Sequence, residues 1–137
     1  VNNITSYGGF VNSPSTDVTA QTSYVWFKRD SSDTNWLAES SNGGPVTSTD
    51  TGVTPTAAST TSIQRFRIEI HGSTTSYGAH TARFFINESL VATHTTNLPI
   101  SALGPAWASL GSVGASADTY LGPWSFRFNR YPTNVNL

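Results

Sequence analysis

Between Ser62 and Asn97 apolar and polar positions alternate more strictly than anywhere else in the chain. Phe66, Ile68 and Ile70 alternate with Arg65, Arg67 and Glu69. A strand has a side-chain period of two, so the apolar set falls on one face and the charges on the other. A Gly/Ser/Thr-rich stretch from His71 to His80 reads as a loop. Ala82, Phe84 and Ile86 then alternate with Arg83, Phe85 and Asn87, and a tight turn at Asn87–Ser89 leads into Leu90–His94. The pattern predicts three consecutive antiparallel strands with one buried and one wet face.

The same reading extends outward. Ile4–Val11 is a strand interrupted by Gly8-Gly9, a pairing that marks a bulge or a close backbone approach. Ser23–Arg29 places Tyr24, Trp26 and Lys28 on one face and Val25, Phe27 and Arg29 on the other. Bulk on both faces predicts a central strand, or one that faces a second layer. Asp30–Thr34 is a turn, Asn35–Ser41 the returning hairpin partner, and Asn42-Gly43-Gly44-Pro45 strong turn chemistry. Val46–Val53 is a Thr-rich strand, and Pro55–Thr61 a loop. Pro99 and Pro105 bracket room for one helical turn. Trp107 follows in a Pro/Gly-rich region. Trp124, Phe126 and Phe128 alternate with Ser125, Arg127 and Asn129 in a last strand. No segment sustains a 3.6-residue apolar period and no repeat is visible, so the fold class is all-β.

Composition narrows the partners. At 137 residues the chain suits one domain, 1–137, and is too short for two cores. Charged residues make up 11%, against about 25% in ordinary soluble chains, and Thr, Ser and Asn fill the difference. A net charge of −1 gives no electrostatic reason to bind nucleic acid or an anionic membrane surface. No apolar run approaches the ~20 residues of a membrane helix. Cysteine is absent, which removes disulfides and thiolate chemistry. Methionine is absent too, so the sequence reads as a processed product or a piece of a longer polypeptide.

From Ser23 onward the order of features resembles a concanavalin A-like (legume-lectin/glucanase-type) jelly-roll domain of the kind found in bacteriophage tail, fibre and other virion proteins. The runs that carry the resemblance are Tyr24-Val25-Trp26-Phe27, Asn35-Trp36-Leu37-Ala38, Asp50-Thr51-Gly52-Val53, Arg65–Glu69, Phe84–Asn87 and Leu90–Pro99. The last is the most specific, and the resemblance spans roughly the last four-fifths of the chain. Two features depart from the family pattern. Asn87-Glu88-Ser89 stands where Asp-Gly or Asn-Gly is usual, which predicts a different turn geometry. Only Ile4–Val11 precedes the aromatic strand where the family has several strands, so upstream strands or a neighbouring chain would complete the sheet.

The resemblance implies an antiparallel β-sandwich and, as its leading function, a non-enzymatic virion structural domain: a tail fibre or spike, or a capsid decoration. Its partners would be other virion subunits, in a homo-oligomer such as a trimer, and its location the virion or the extracellular space. A carbohydrate-binding module for host surface glycan is the alternative. Polysaccharide hydrolysis is weaker, since it needs two facing carboxyls. Glu39, Glu69 and Glu88 are far apart in sequence, and no Glu-x-Asp-x-x-Glu run exists.

Candidate ligand-binding residues follow from side-chain chemistry. Sugars stack on exposed indoles, and Trp36 after a polar turn and Trp107 in its loop region are the candidates. Asp30, Asp33 and Asn35 would bond the hydroxyls. The same loop has the oxygen density that suits Ca²⁺, but it lacks a glycine and a bidentate Glu at EF-hand spacing, and these residues are also default turn formers. No catalytic residue, metal site or cofactor is expected. His71, His80 and His94 show no metal-ligand spacing, and His94 reads as a hydrogen-bonding residue at a strand end.

Overall fold

The computed structural model describes residues 4–13, 20–56, 63–72 and 79–111. These residues form eight strands and no α-helix. They are β1 (Ile4–Val11), β2 (Ser23–Arg29), β3 (Leu37–Asn42), β4 (Val46–Asp50), β5 (Phe66–Gly72), β6 (Ala79–Ile86), β7 (Ser89–His94) and β8 (Gly104–Gly111). They make two antiparallel sheets, one in the order β4-β3-β2-β1-β8 and one in the order β5-β6-β7. The fold is therefore all-β, with the sheets face to face, consistent with a β-sandwich. The final strand expected around Trp124 and the tail after Arg130 lie outside the described residues.

The inner faces follow from alternation. Val25 and Phe27 of β2, Ala38 of β3, Ala82, Phe84 and Ile86 of β6 and Ala92 of β7 form one buried cluster. Phe66, Ile68 and Ile70 of β5 pack against it. Phe27 meets Phe84 edge-on at 5.4 Å and Phe66 at 5.0 Å, so aromatic contacts join the sheets. Burying side chains of this size stabilises by about 1.5–3 kcal/mol each, which fixes register, because a one-residue slip would expose the whole set.

β2 is the third of five strands and is buried on its other face as well. Tyr24 and Trp26 form a second cluster there with Val11, flanked by Tyr7 and Ala106. The predicted bulk on both faces is thus a central strand with two packed sides.

Four local expectations need correction. Gly8-Gly9 makes no bulge: β1 pairs with β2 and β8 in unbroken register. The other expectation for this pair, a close backbone approach, holds at Gly9, where a Cβ would lie 2.3 Å from the Val25 carbonyl oxygen, while one at Gly8 would overlap the Trp107 side chain. Trp107 is not in a loop. It sits on β8 opposite Gly8, within a strand that begins at Gly104 and runs through Pro105; Pro105 is tolerated because β8 is an edge among the described strands. No helical turn forms between Pro99 and that strand.

The β6–β7 turn is the fourth. Asn87 (φ 51°) and Glu88 (φ 66°) both take left-handed backbone, the geometry of a two-residue type I′ turn. The usual turn is kept, with Glu88 in the place of glycine. Arg65 and Asn87 brace it. The Asn87 amide donates to the Arg65 carbonyl (2.8 Å), and the Arg65 amide donates to Asn87 Oδ1 (3.0 Å).

Candidate functional site

The five residues expected to bind ligand do not converge. Trp36 is 8% exposed and belongs to the inner core. Its indole N–H donates to Gln64 Oε1 (3.0 Å), and its ring meets Phe66 edge-on at 4.9 Å. It closes the end of the sandwich and presents no open face for stacking. Trp107 lies at the far edge. The cross-strand row Ala38, Phe27, Gly8, Trp107 puts three strand spacings between β3 and β8, or roughly 14 Å. The two indoles therefore cannot form one platform.

The Asp30–Asn35 loop is bonded to itself and to its hairpin. The Asp30 amide donates to Asp33 Oδ2 (2.8 Å), and the Asp33 amide donates to the Asp30 carbonyl (3.0 Å). Ser32 Oγ donates to Asp30 Oδ1 (3.3 Å), and Lys28 Nζ lies 3.6 Å from Asp30 Oδ2. Asn35 is drawn away from both aspartates. Its Nδ2 donates to Asp50 Oδ1 (2.9 Å), and its Oδ1 accepts from Thr54 Oγ1 (3.2 Å). These oxygens serve a turn. Among the described residues no group of three or more His, Cys, Asp or Glu gathers.

The densest polar arrangement lies on the outer face of the five-stranded sheet. Glu39 of β3 stands opposite Trp26 and is 7% exposed. Its Oε2 accepts from the Trp26 indole N–H (3.0 Å) and its Oε1 from Ser48 Oγ (3.2 Å). Tyr24 stacks on Trp26 at 3.7 Å, and Tyr7 leans against the same ring at 4.8 Å. Burial, then Glu39 and Tyr7, push the Tyr24 hydroxyl up to about 12. Burial also raises Tyr7, against the pull of Lys28. For Lys28 burial lowers the pKa, but Glu39, Asp30, Tyr7 and Asp33 together outweigh it and leave the ammonium raised. The group is a buried carboxylate held by neutral donors beside two protonated phenols. No second carboxyl faces Glu39 among the described residues, so this geometry does not supply an acid–base pair.

A second polar group joins the sheets. His94, at the end of β7, places Nδ1 2.9 Å from Ser40 Oγ on β3 and Nε2 3.0 Å from Thr49 Oγ1 on β4. It is the strand-end hydrogen-bonder that its position suggested. His71 lies at the exposed end of β5, with Nε2 3.7 Å from Glu69 Oε2. The side chain of His80 lies outside the described ones.

The outer face of the three-stranded sheet is the charged one. Arg67 lies over the Phe85 ring at 3.7 Å, pairs with Glu69, and reaches Glu88 Oε2 at 3.1 Å. Leu90 stands opposite Phe85 and is 56% exposed. Ile63, Arg65, Asn87 and Glu88 line an open hollow of about 280 Å³ beside the turn. A scan of protein-family models and searches of curated proteins and of solved structures return no match to this chain.

Proposed function

We propose that this chain is a non-enzymatic structural domain of a bacteriophage virion, of the concanavalin A-like jelly-roll kind, acting in a tail fibre, spike or capsid decoration through subunit contacts. The observation that carries the reading is where side chains are spent. Glu39, Trp36, Asp30, Asp33 and Asn35 are engaged in bonds within the fold, whereas Val46, Ile63, Leu90 and Ile100 are turned outward. Leu90 lies next to an Arg67–Phe85 stack, and arginine and aromatic side chains are the types enriched at contact centres. The sequence runs that carry the family resemblance fall largely on β2, β3, β5, β6 and β7, which supports the sandwich type.

Native mass spectrometry of the intact chain, with and without Leu90→Arg, tests the reading. A homo-oligomer, such as a trimer, that Leu90→Arg dissociates supports it. A monomer that captures a glycan on an array moves the assignment to a carbohydrate-binding module. A monomer that captures none and joins no particle overturns the proposal.

A further inference from the structure

We propose that His94 is an acid-operated latch between the two sheets, whose protonation frees the end of β7 from the β3–β4 edge of the five-stranded sheet. His94 is 3% exposed, and its ring lies 4.9 Å from that of Phe84 on the inner face. One side chain of one sheet thus bonds two strands of the other. The residues that follow tie the same corner. Thr96 Oγ1 lies 3.3 Å from Thr47 Oγ1, and Asn97 Nδ2 donates to Thr47 Oγ1 (3.0 Å).

The latch depends on a neutral ring. Neutral imidazole offers one N–H and one lone pair. Ser40 Oγ also has the Thr96 carbonyl 3.5 Å away as an acceptor. All partners are satisfied when Nδ1–H donates to Ser40, Ser40 donates to Thr96, and Thr49 donates to Nε2. A second proton makes both ring nitrogens donors. Thr49 must then reverse its hydroxyl, and a full charge sits out of water.

Nothing facing the ring offsets that charge among the described residues. The neighbours that face it are Ser40, Thr49, Phe84 and Ala82. The charged groups of the same elements, Glu39 on β3, Asp50 on β4 and Arg83 on β6, alternate to the opposite faces. His71 on β5 is exposed and turned toward Glu69. Consistently, burial lowers the His94 pKa from its ordinary 6.5. The unfolded chain then binds more protons below about pH 6.5. Stability is full above that value and is lost as pH falls through the lower folded pKa.

Hydrogen exchange on the full chain, corrected for intrinsic rate, is the test. Between about pH 7.5 and pH 5, amides of β3–β4 and of residues 90–97 lose protection, by about tenfold for each unit by which the folded pKa is depressed. Amides shared by β1 and β2 hold theirs. His94→Gln, which keeps an amide donor and acceptor but cannot titrate, abolishes the acid response. Imidazole NMR of the unsubstituted chain needs no variant, and His94 titrates there below the ordinary imidazole value of 6.5. An unchanged acid response in His94→Gln, or a His94 ring that titrates at or above the ordinary value, overturns the proposal.

Discussion

Gly8 and Gly9 are adjacent on β1, yet their substitution by alanine should differ in a way that packing alone dictates. A methyl at Gly8 overlaps Cζ3 and Cε3 of the Trp107 indole and comes within 3.2 Å of Cη2. The obstacle is a side chain at an edge strand, which can swing away. Overpacking of this kind costs about 1–3 kcal/mol. If the displaced indole loses about 50 Å² of burial, roughly 1 kcal/mol more follows at 25 cal/mol per Å². Stiffening the unfolded chain returns about 0.4–1 kcal/mol. The net loss for Gly8→Ala is about 2–3 kcal/mol. A methyl at Gly9 instead meets the Val25 carbonyl oxygen and the Trp26 backbone, with Trp26 Cβ at 2.8 Å. That obstacle is the central strand, which cannot move without parting from β3. Gly9→Ala should therefore cost about 3 kcal/mol or more, at the upper end of the overpacking range.

Urea unfolding followed by tryptophan fluorescence reads both losses. With a slope of about 2 kcal/mol per M, Gly8→Ala lowers the midpoint by about 1–1.5 M and Gly9→Ala by more. A Trp107→Ala background separates the causes. It is itself destabilised, but the Gly8 methyl now enters vacated space and its penalty nearly vanishes, a coupling of about 2 kcal/mol. The Gly9 penalty is unchanged. A Gly8→Ala loss that persists in the Trp107→Ala background would refute the reasoning.

Three further outcomes follow from named contacts. Glu88→Gly should raise stability by about 1 kcal/mol in thermal unfolding, because left-handed backbone costs a non-glycine residue about 1–2 kcal/mol and the exposed Glu88–Arg67 pair is worth at most about 0.5. Trp26→Phe should cost about 3 kcal/mol or more by chemical denaturation, since it leaves Glu39 Oε2 buried without its donor; Glu39→Gln in the Trp26→Phe background should recover part of that loss. Alkaline titration by tyrosinate absorbance should show Tyr24 ionising near 12. Its neutral form is favoured by folding, so the contribution is intact below about pH 10, the unfolded value, and is lost as pH rises through about 12; ionisation of every tyrosine near 10 in the folded chain would contradict the burial of this cluster.

The strands were largely legible because alternation is a local property. The β5-β6-β7 meander and the two-sided β2 follow from residues two apart. What the sequence concealed depends on register between strands. Trp26 meets Glu39 only because the β2–β3 hairpin pairs Lys28 with Leu37, and the polar run from Asp30 to Asn35 allows several turn lengths. Trp107 looked like a loop residue because Pro105 and Gly104 flank it, and an edge position that tolerates both is invisible without the sheet order. Trp36 followed polar residues and so looked exposed. Its burial comes from Gln64 and Phe66, 28 and 30 residues away. The five candidate site residues were chosen by type, and type does not say which side chain turns inward.

Glu39 and His94, both buried, have opposite designs. Glu39 carries a carboxyl group whose two oxygens accept from neutral side-chain donors of its own sheet. His94 bridges to the other sheet through hydroxyls that serve either as donor or as acceptor. The carboxylate therefore fixes pairing within one layer, while the imidazole governs how the layers hold together. A domain built this way keeps its β1–β2 pairing under mild acid while the corner at His94, with the β3–β4 edge and the end of β7, loosens. The surface carrying Leu90 and the Arg67–Phe85 stack adjoins the loosening strand, so a contact made there would be sensitive to the same proton.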